Sequence, residues 1–243
     1  MSLHEYCRAM DSPMTLLRRA NRGYQARGST SLARRGLAFV RYCLFDYRSY
    51  YLYTEPVGPY ADLNEADFLP RVDGFTAMIV SSNEEADELE ACGLTFRAQI
   101  RNARRSLDSG AAASCLFVDK KLAHIGWAAF TREGQKSIGN PPFSVDYSNH
   151  EACSGGSWTH PEYRRLGLQR YSRLVLLRFM LQKGIRIKRA ATAKNNPAAE
   201  EIRREYPLGL WGEGRYLRVL WWKSWKERPL SPAQLQTDGE EHG

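Results

Sequence analysis

The stretch richest in chemistry runs from Thr159 to Gln169, THPEYRRLGLQ, between the small-residue run SGGSW and a long helical pattern. Arg164, Arg165 and Gly167 stand just before the point where helical periodicity begins. The first N–H groups of a helix have no carbonyl to bond, and the helix dipole adds roughly half a positive charge there. Glycine at such a place lets the chain approach a ligand closely or take a positive φ. The two arginines bring mobile cations to the same mouth, so the combination suits an anion such as phosphate. An R-x-x-G tetrapeptide occurs by chance in any basic chain; its place, after a strand pattern and at the opening of a helix, is what gives it meaning.

The elements that must position this loop follow from the patterning. GFTAMIVSS from Gly74 is a β-prone run, and SNEEADELEACG reads as a helix with Asn83 or Ser82 as N-cap and Gly93 at its end. TFRAQIRNARRSLDSG repeats the helical period through Phe96, Ile100 and Leu107. SCLFVDKKLAHIGWAAF is two β-type runs about the polar turn Asp119 to Lys121, a hairpin signature. After the loop IGNPPFSVDYSNH, EACSGGSWTH is a strand weakened by glycine, and LQRYSRLVLLRFMLQKG is a helix stopped at Gly184. IRIKRAATAKNN reads as a strand, NPAAEEIRREY as a short helix with Pro197 near its start, and RYLRVLWWKSW as the last strand. Strand, loop, long helix and strand from Ser157 to Thr192 form the pattern of a parallel crossover.

Ahead of these lies a basic segment that includes Arg18, Arg19, Arg34 and Arg35, an amphipathic helical pattern from Ser31, and the extended aromatic run YRSYYLYTEPVGPY. The reading is an N-terminal basic elaboration over 1–68, a main domain over 69–228, and a C-terminal tail over 229–243 expected to be disordered. A length of 243 residues suits one domain with an elaboration, and 43% apolar residues supply a core. No run reaches the roughly 18 apolar residues of a membrane span. The N-terminus lacks the apolar stretch of a secretory signal, so a cytoplasmic protein is expected. Five cysteines, widely spaced and without a C-x-x-C pair, argue for reduced thiols and against a metal site. A net charge of +8 favours an anionic partner: nucleic acid, an anionic membrane surface or a phosphorylated ligand.

WTHPEYRRLGLQ, the helix ending at Gly184 and the following AKNNPAA together resemble the acetyl-CoA-binding core of the GNAT superfamily of N-acetyltransferases, over roughly residues 72–225. Arg164 and Gly167 match the first and fourth positions of the family signature R/Q-x-x-G-x-G/A, while Gln169 stands where a small residue is usual. The resemblance implies an α+β fold, GNAT-like, with a mixed, mostly antiparallel central sheet flanked by helices. It implies that Ser157, Trp158 and Thr159 line the pantetheine arm of acetyl-CoA and that Arg164, Arg165, Leu166, Gly167, Leu168 and Gln169 hold its pyrophosphate. Asn195 or Asn196 would touch the cofactor from the far side, unless NNPAA is simply a helix cap before Pro197. The strand before the loop would splay from its neighbour so that pantetheine amides pair with exposed backbone. No metal is implied.

Acetyl transfer to an amine requires a neutral amine, a polarised thioester carbonyl and a proton for the leaving thiolate. By the same resemblance Glu151, at the start of the strand leading to the loop, is the candidate carboxylate base, with His150 and Cys153 as neighbours; a solvent-facing strand-end acid is its plainer reading. The family's usual tyrosine position falls on Arg203, so Tyr206, three residues on, is the candidate acid, with a core or interface aromatic as the alternative. The implied activity moves an acetyl group from acetyl-CoA to a primary amine of a small molecule or peptide within a ternary complex. Three other readings stand beside it. A long acyl chain could come from acyl-CoA or from acyl carrier protein, an acidic partner for a basic surface. The fold could bind coenzyme A with little activity. YLRVLWWKSWKERP, with interleaved aromatic and basic residues, could bind nucleic acid, although a strand with one wet face explains it more simply.

Overall fold

The computed structural model describes residues 44–196 and 209–230. The helix expected from Ser31, the short helix after Asn196 and the tail beyond Leu230 lie outside the described residues. The strands are β1 (Phe45–Pro56), β2 (Phe75–Val80), β3 (Ala111–Val118), β4 (Lys121–Ala129), β5 (Glu151–Thr159), β6 (Ile187–Ala193), β7 (Gly209–Val219) and β8 (Trp222–Pro229). They form one sheet in the order β2-β3-β4-β5-β6-β1-β7-β8. The pairs β2–β3, β3–β4, β4–β5 and β1–β6 are antiparallel, and β5–β6 is parallel. The helices are α1 (Asn83–Ala91), α2 (Ala103–Asp108), α3 (Arg132–Ser137) and α4 (Leu168–Gln182), which makes the α+β class explicit. The described residues divide into two compact units, one of 48–196, 209–216 and 225–230, the other including 44–47 and 217–224.

Local chemistry sets the element ends. Ser82 caps α1, its Oγ accepting from Glu85 N at 3.2 Å, and Gly93 follows with φ +82°. Thr131 caps α3 in the same way, with Gly134 N donating to Oγ1 at 2.9 Å. Gly184, at φ +77°, ends α4 as expected. Two elements differ from the sequence reading. The helix expected over 95–110 is confined to α2, because Arg97 turns back onto α1, bonding Glu90 at 2.8 and 2.7 Å and Asn83 O at 3.2 Å, while Phe96 is buried. RYLRVLWWKSW is two strands, with a turn at Leu220 and Trp221 that no Gly, Asn or Pro announces.

β3 is buried along its whole length and β4 nearly so, and the two strands carry the core on both faces. One face holds Phe96, Phe117, Leu122, Ile125 and Trp127, with α1 and α2 contributing Leu89 and Leu107. α4 covers the other through Leu174, Leu177 and Met180, against Val57, Ala128 and Ala152. It sits close because small groups face it: Ser172 Oγ donates to Ser114 Oγ at 3.0 Å, and a Cβ on Gly126 would lie 3.3 Å from Ser172 Oγ.

Residues 45–68, assigned by sequence to an N-terminal elaboration, include a strand between β6 and β7 and a segment against α4. Glu65 accepts from Tyr171 Oη at 2.6 Å and pairs with Arg178 at 2.9 Å. Glu55 of β1 is buried opposite Lys188 of β6, its register partner, and forms ion pairs with Lys188 and with Arg173 of α4 and a hydrogen bond from Tyr60 Oη. Burial alone would raise the Glu55 carboxyl, but Lys188 and Arg173 outweigh it and hold it below the ordinary carboxylate value of 4.5. Burial, joined by the like charge of Arg173, draws Lys188 down to about 8 against the opposing pull of Glu55. Removing one member of such a buried set leaves the other charges uncompensated. Glu55→Gln is therefore expected to lower stability by about 3–5 kcal/mol at neutral pH in urea unfolding. Since the folded-state pKa lies below the unfolded 4.5, the Glu55 contribution is present above that pH and lost as pH falls through the folded value. The variant should show a weaker loss of stability on acidification than the parent.

Candidate functional site

β5 and β6 pair only through Glu151↔Ile187, Ala152↔Lys188 and Cys153↔Arg189. Beyond that point β5 continues along β4 as far as His124↔Thr159, and β6 continues along β1 as far as Tyr50↔Ala193. The two parallel strands thus keep their outer neighbours and part from each other, which opens a wedge at their carboxyl ends. In sheets with parallel strands that is where ligands bind, because peptide groups on the facing edges and the following loops are free to receive them. The register of β4 on β5 slips between Ile125↔Trp158 and Trp127↔Gly155, with three residues of β5 spanning two of β4. This bulge falls on the expected pantetheine-side residues, and Gly156 takes φ +60° within it. Loop 138–140 lies against the bulge: Asn140 Nδ2 donates to Ser154 O at 3.1 Å, and a Cβ on Gly156 would lie 3.0 Å from Ile138 O.

The basic loop leaves the same end of β5. Thr159 Oγ1 shares a 2.7 Å hydrogen bond with Nδ1 of buried His124, whose ring burial draws down to about 4 and so keeps neutral at physiological pH. Pro161–Tyr163 form a single 3-10 turn, Arg164 and Arg165 are exposed, and Arg165 and Gly167 both have positive φ, +63° and +83°. Gly167 is the N-cap of α4 and offers no side chain to it; the first helical bond is Tyr171 N to Gly167 O, 3.1 Å. The first-turn N–H groups, those of Leu168 and Gln169 among them, therefore have no carbonyl within the helix. Leu168 is buried and anchors the turn, and Leu166 O accepts from Arg71 N at 2.7 Å, which fixes the loop from outside. Gln169, the departure from the signature, is exposed, so its length has solvent to occupy. Asn195 and Asn196 lie exposed in the turn after β6, at the carboxyl end matching that of the loop, with Asn196 N bonded to Ala193 O at 3.1 Å.

The proton-transfer candidates sit differently. Glu151 is buried where β5 and β6 still pair, and both its oxygens are engaged: Arg189 Nη2 donates to Oε1 at 2.7 Å, while Arg189 Nε and Asp146 N donate to Oε2 at 3.0 and 2.9 Å. It is not the solvent-facing acid of its plainer reading. Cys153, two residues on, is buried beside Tyr147 Oη at 3.5 Å and Asn140 Nδ2 at 3.6 Å, and burial pushes its thiol up. Burial likewise raises the Tyr147 phenol, with Cys153 adding to the effect. Tyr206 lies outside the described residues. Sequence reasoning passed over Arg189, Asn140, Gln135 and Tyr147. Gln135 organises their loop, donating to Pro141 O and Phe143 O at 2.9 and 3.0 Å and accepting from Tyr147 Oη at 3.1 Å. The cleft beside them, about 400 Å³, is lined by Arg132, Gln135, Phe143 and residues 144–147. The Pro-Pro of that loop was the one visible signal that the segment has a defined path.

No family model matches the chain, and no curated protein matches it in sequence. Among solved structures it is similar to a GCN5-related N-acetyltransferase-like protein from Streptococcus suis, at 13% identity over 76% of this chain and 67% of that one, TM-score 0.47. It is also similar to a GCN5-related N-acetyltransferase from Kribbella flavida, at 16% identity over 76% and 63%, TM-score 0.41. A conserved protein of unknown function from Staphylococcus epidermidis aligns at 13% identity over 75% and 66%, TM-score 0.45. The chain spans less than two thirds of the length of the last two.

The crowding at the bulge makes a direct prediction. Gly156→Ala places a side chain on a left-handed backbone and against Ile138 O, and is expected to lower stability by about 1–3 kcal/mol in thermal unfolding.

Proposed function

We propose that the chain is an acyltransferase that takes an acetyl group from acetyl-CoA and delivers it to a primary amine, both substrates being bound at once. The observation that carries this reading is the wedge between β5 and β6, bulged at Gly155–Trp158 and closed at its mouth by the uncapped N-terminus of α4. The fit to coenzyme A is chemical: unpaired helix N–H groups, Gly167 and the exposed Arg164 and Arg165 suit a pyrophosphate, and strand-edge peptide groups suit the amides of a pantetheine arm. In this reading Ser157, Trp158 and Thr159 run beside the arm, residues 164–169 hold the pyrophosphate, and Asn195 and Asn196 approach from the β6 side. The bound thioester would supply an activated acyl carbon.

The amine nitrogen bonds to that carbon, the C–S bond breaks, and the thiolate must take a proton as the amine loses one. Glu151 enters this reading as a positioning residue. Its ion pair with Arg189 holds β5 on β6 at the last pairs before they part, and solvent water takes the amine proton. Tyr206 is the proposed donor to the thiolate. Acceptors are small-molecule or peptide amines.

Calorimetric titration with acetyl-CoA, longer acyl-CoAs, acyl carrier protein and desulfo-coenzyme A tests the donor, followed by an acetylation screen over amines. Acetyl-CoA should bind, and Gly167→Val should weaken it at least about tenfold, close to 1.4 kcal/mol. Stronger binding of acyl carrier protein or of long acyl chains would replace the acetyl donor; binding without turnover on any amine would leave a coenzyme A-binding protein. No binding of any donor sinks the reading. Glu151→Gln should lower activity while keeping the pH profile of kcat/KM, and loss of the profile's acidic limb would make Glu151 the base instead. Tyr206→Phe should lower kcat with little effect on donor binding.

A further inference from the structure

The compact unit that includes Leu44–Tyr47 and Leu217–Ser224 carries none of the residues proposed for acyl transfer. It has an exposed apolar tip. Trp221 is 85% exposed and Trp222 55%, with Val219 and Leu220 beside them in sequence and Leu44 and Phe45 also exposed. Leu220 N donates to Leu44 O at 2.7 Å, joining the two segments. The turn from β7 to β8 consists of Leu220 and Trp221, and Leu220 has φ +56°. Asn or Gly takes that conformation at little cost and a leucine does not, so the chain holds strained backbone where it displays an apolar residue to water. From Gly214 to Lys226 the sequence has four cations, Arg215, Arg218, Lys223 and Lys226, and no acid; Asp46 is the acid of the other segment.

We propose that this tip docks on the surface of an anionic lipid bilayer, with Leu220, Trp221 and Trp222 seated at headgroup level and Lys223 against lipid phosphates. The charge chooses an anionic partner: +8 on the chain, with the tip's own strands contributing cations alone between Glu213 and Glu227. The apolar composition chooses among anions. Single-stranded nucleic acid uses rings as stacking platforms, and Leu44, Val219 and Leu220 have no part in that. Aliphatic side chains beside tryptophan are what the interface of a bilayer accepts. A second copy of the tip would bring like charges together. Among the described residues no helix is long and apolar enough to cross a membrane, so the docking is peripheral.

The test is co-sedimentation of the full chain with vesicles of phosphatidylcholine alone and of phosphatidylcholine with phosphatidylserine. The protein should pellet with the anionic vesicles, release as salt rises, and lose tryptophan fluorescence to brominated lipid. Trp221→Ser with Trp222→Ser, and separately Lys223→Glu, should each weaken pelleting about tenfold or more, with melting curves matching the parent's. The salt and quenching measurements on the parent keep the test decisive if a variant fails to fold. No pelleting, or pelleting unchanged by either folded variant, overturns the proposal. So does a single-stranded oligonucleotide that strips the protein from vesicles by binding the same tip, or a dimer that the Trp variants abolish.

Discussion

β5 and β6 run parallel for three residue pairs and then part, and two neighbouring residues of β6 carry ionic contacts there, one back to β1 and one across to β5. Lys188 pairs with Glu55 and Arg189 with Glu151. Successive side chains on a strand point to opposite faces, so β6 is held on the α4 side by the Glu55 set and on the other by Glu151. Parallel pairing is the weaker ladder, and a wedge opened in it would tend to spread or to zip shut. Charges buried at its apex set where it stops. A buried ion pair adds little net stability against a hydrophobic substitute, but losing one partner is severe, which makes the register at this point hard to shift.

The rest of the candidate site follows from that apex. Past Cys153 the bulge takes one extra residue into β5, and the glycines let loop 138–140 lie on it. α4 then starts at the end of the loop, with a glycine cap that leaves its amides open to a ligand. Two other helix starts are treated in the opposite way: Ser82 and Thr131 close α1 and α3 with their own hydroxyls. α2 also lacks a side-chain cap but has only six residues, so α4 is the long helix among the described ones whose start is left open.

Charge is distributed in a comparable way. Arg97, Arg173, Arg178 and Arg189 are taken up in ion pairs with acids from other elements, whereas Arg164 and Arg165 stay exposed at the loop. The net charge of +8 therefore reports a surface property more than a core one, and a net positive surface favours anionic partners.

The sequence by itself determined the local events: the caps and glycine stops of α1 and α4, the hairpin at Asp119 to Lys121, the β5–α4–β6 crossover, and the loop at Arg164 to Gly167. Each depends on residues within a few positions of one another, so pattern and propensity suffice. The tertiary structure alone decided what depends on distant partners. It brought β1 from the apparent N-terminal elaboration into the sheet beside β6, since only the Glu55–Lys188–Arg173 set and the facing strand explain its place. It turned Glu151 from a strand-end acid into the partner of Arg189, 38 residues away. It also delayed the start of the expected helix to Ala103, with Arg97 turned back onto α1, and made a turn of Leu220 and Trp221, where no local signal competes with the strand pattern. Long-range ion pairs and strained turns leave no periodicity in a sequence, because their energy comes from neighbours that only folding brings together.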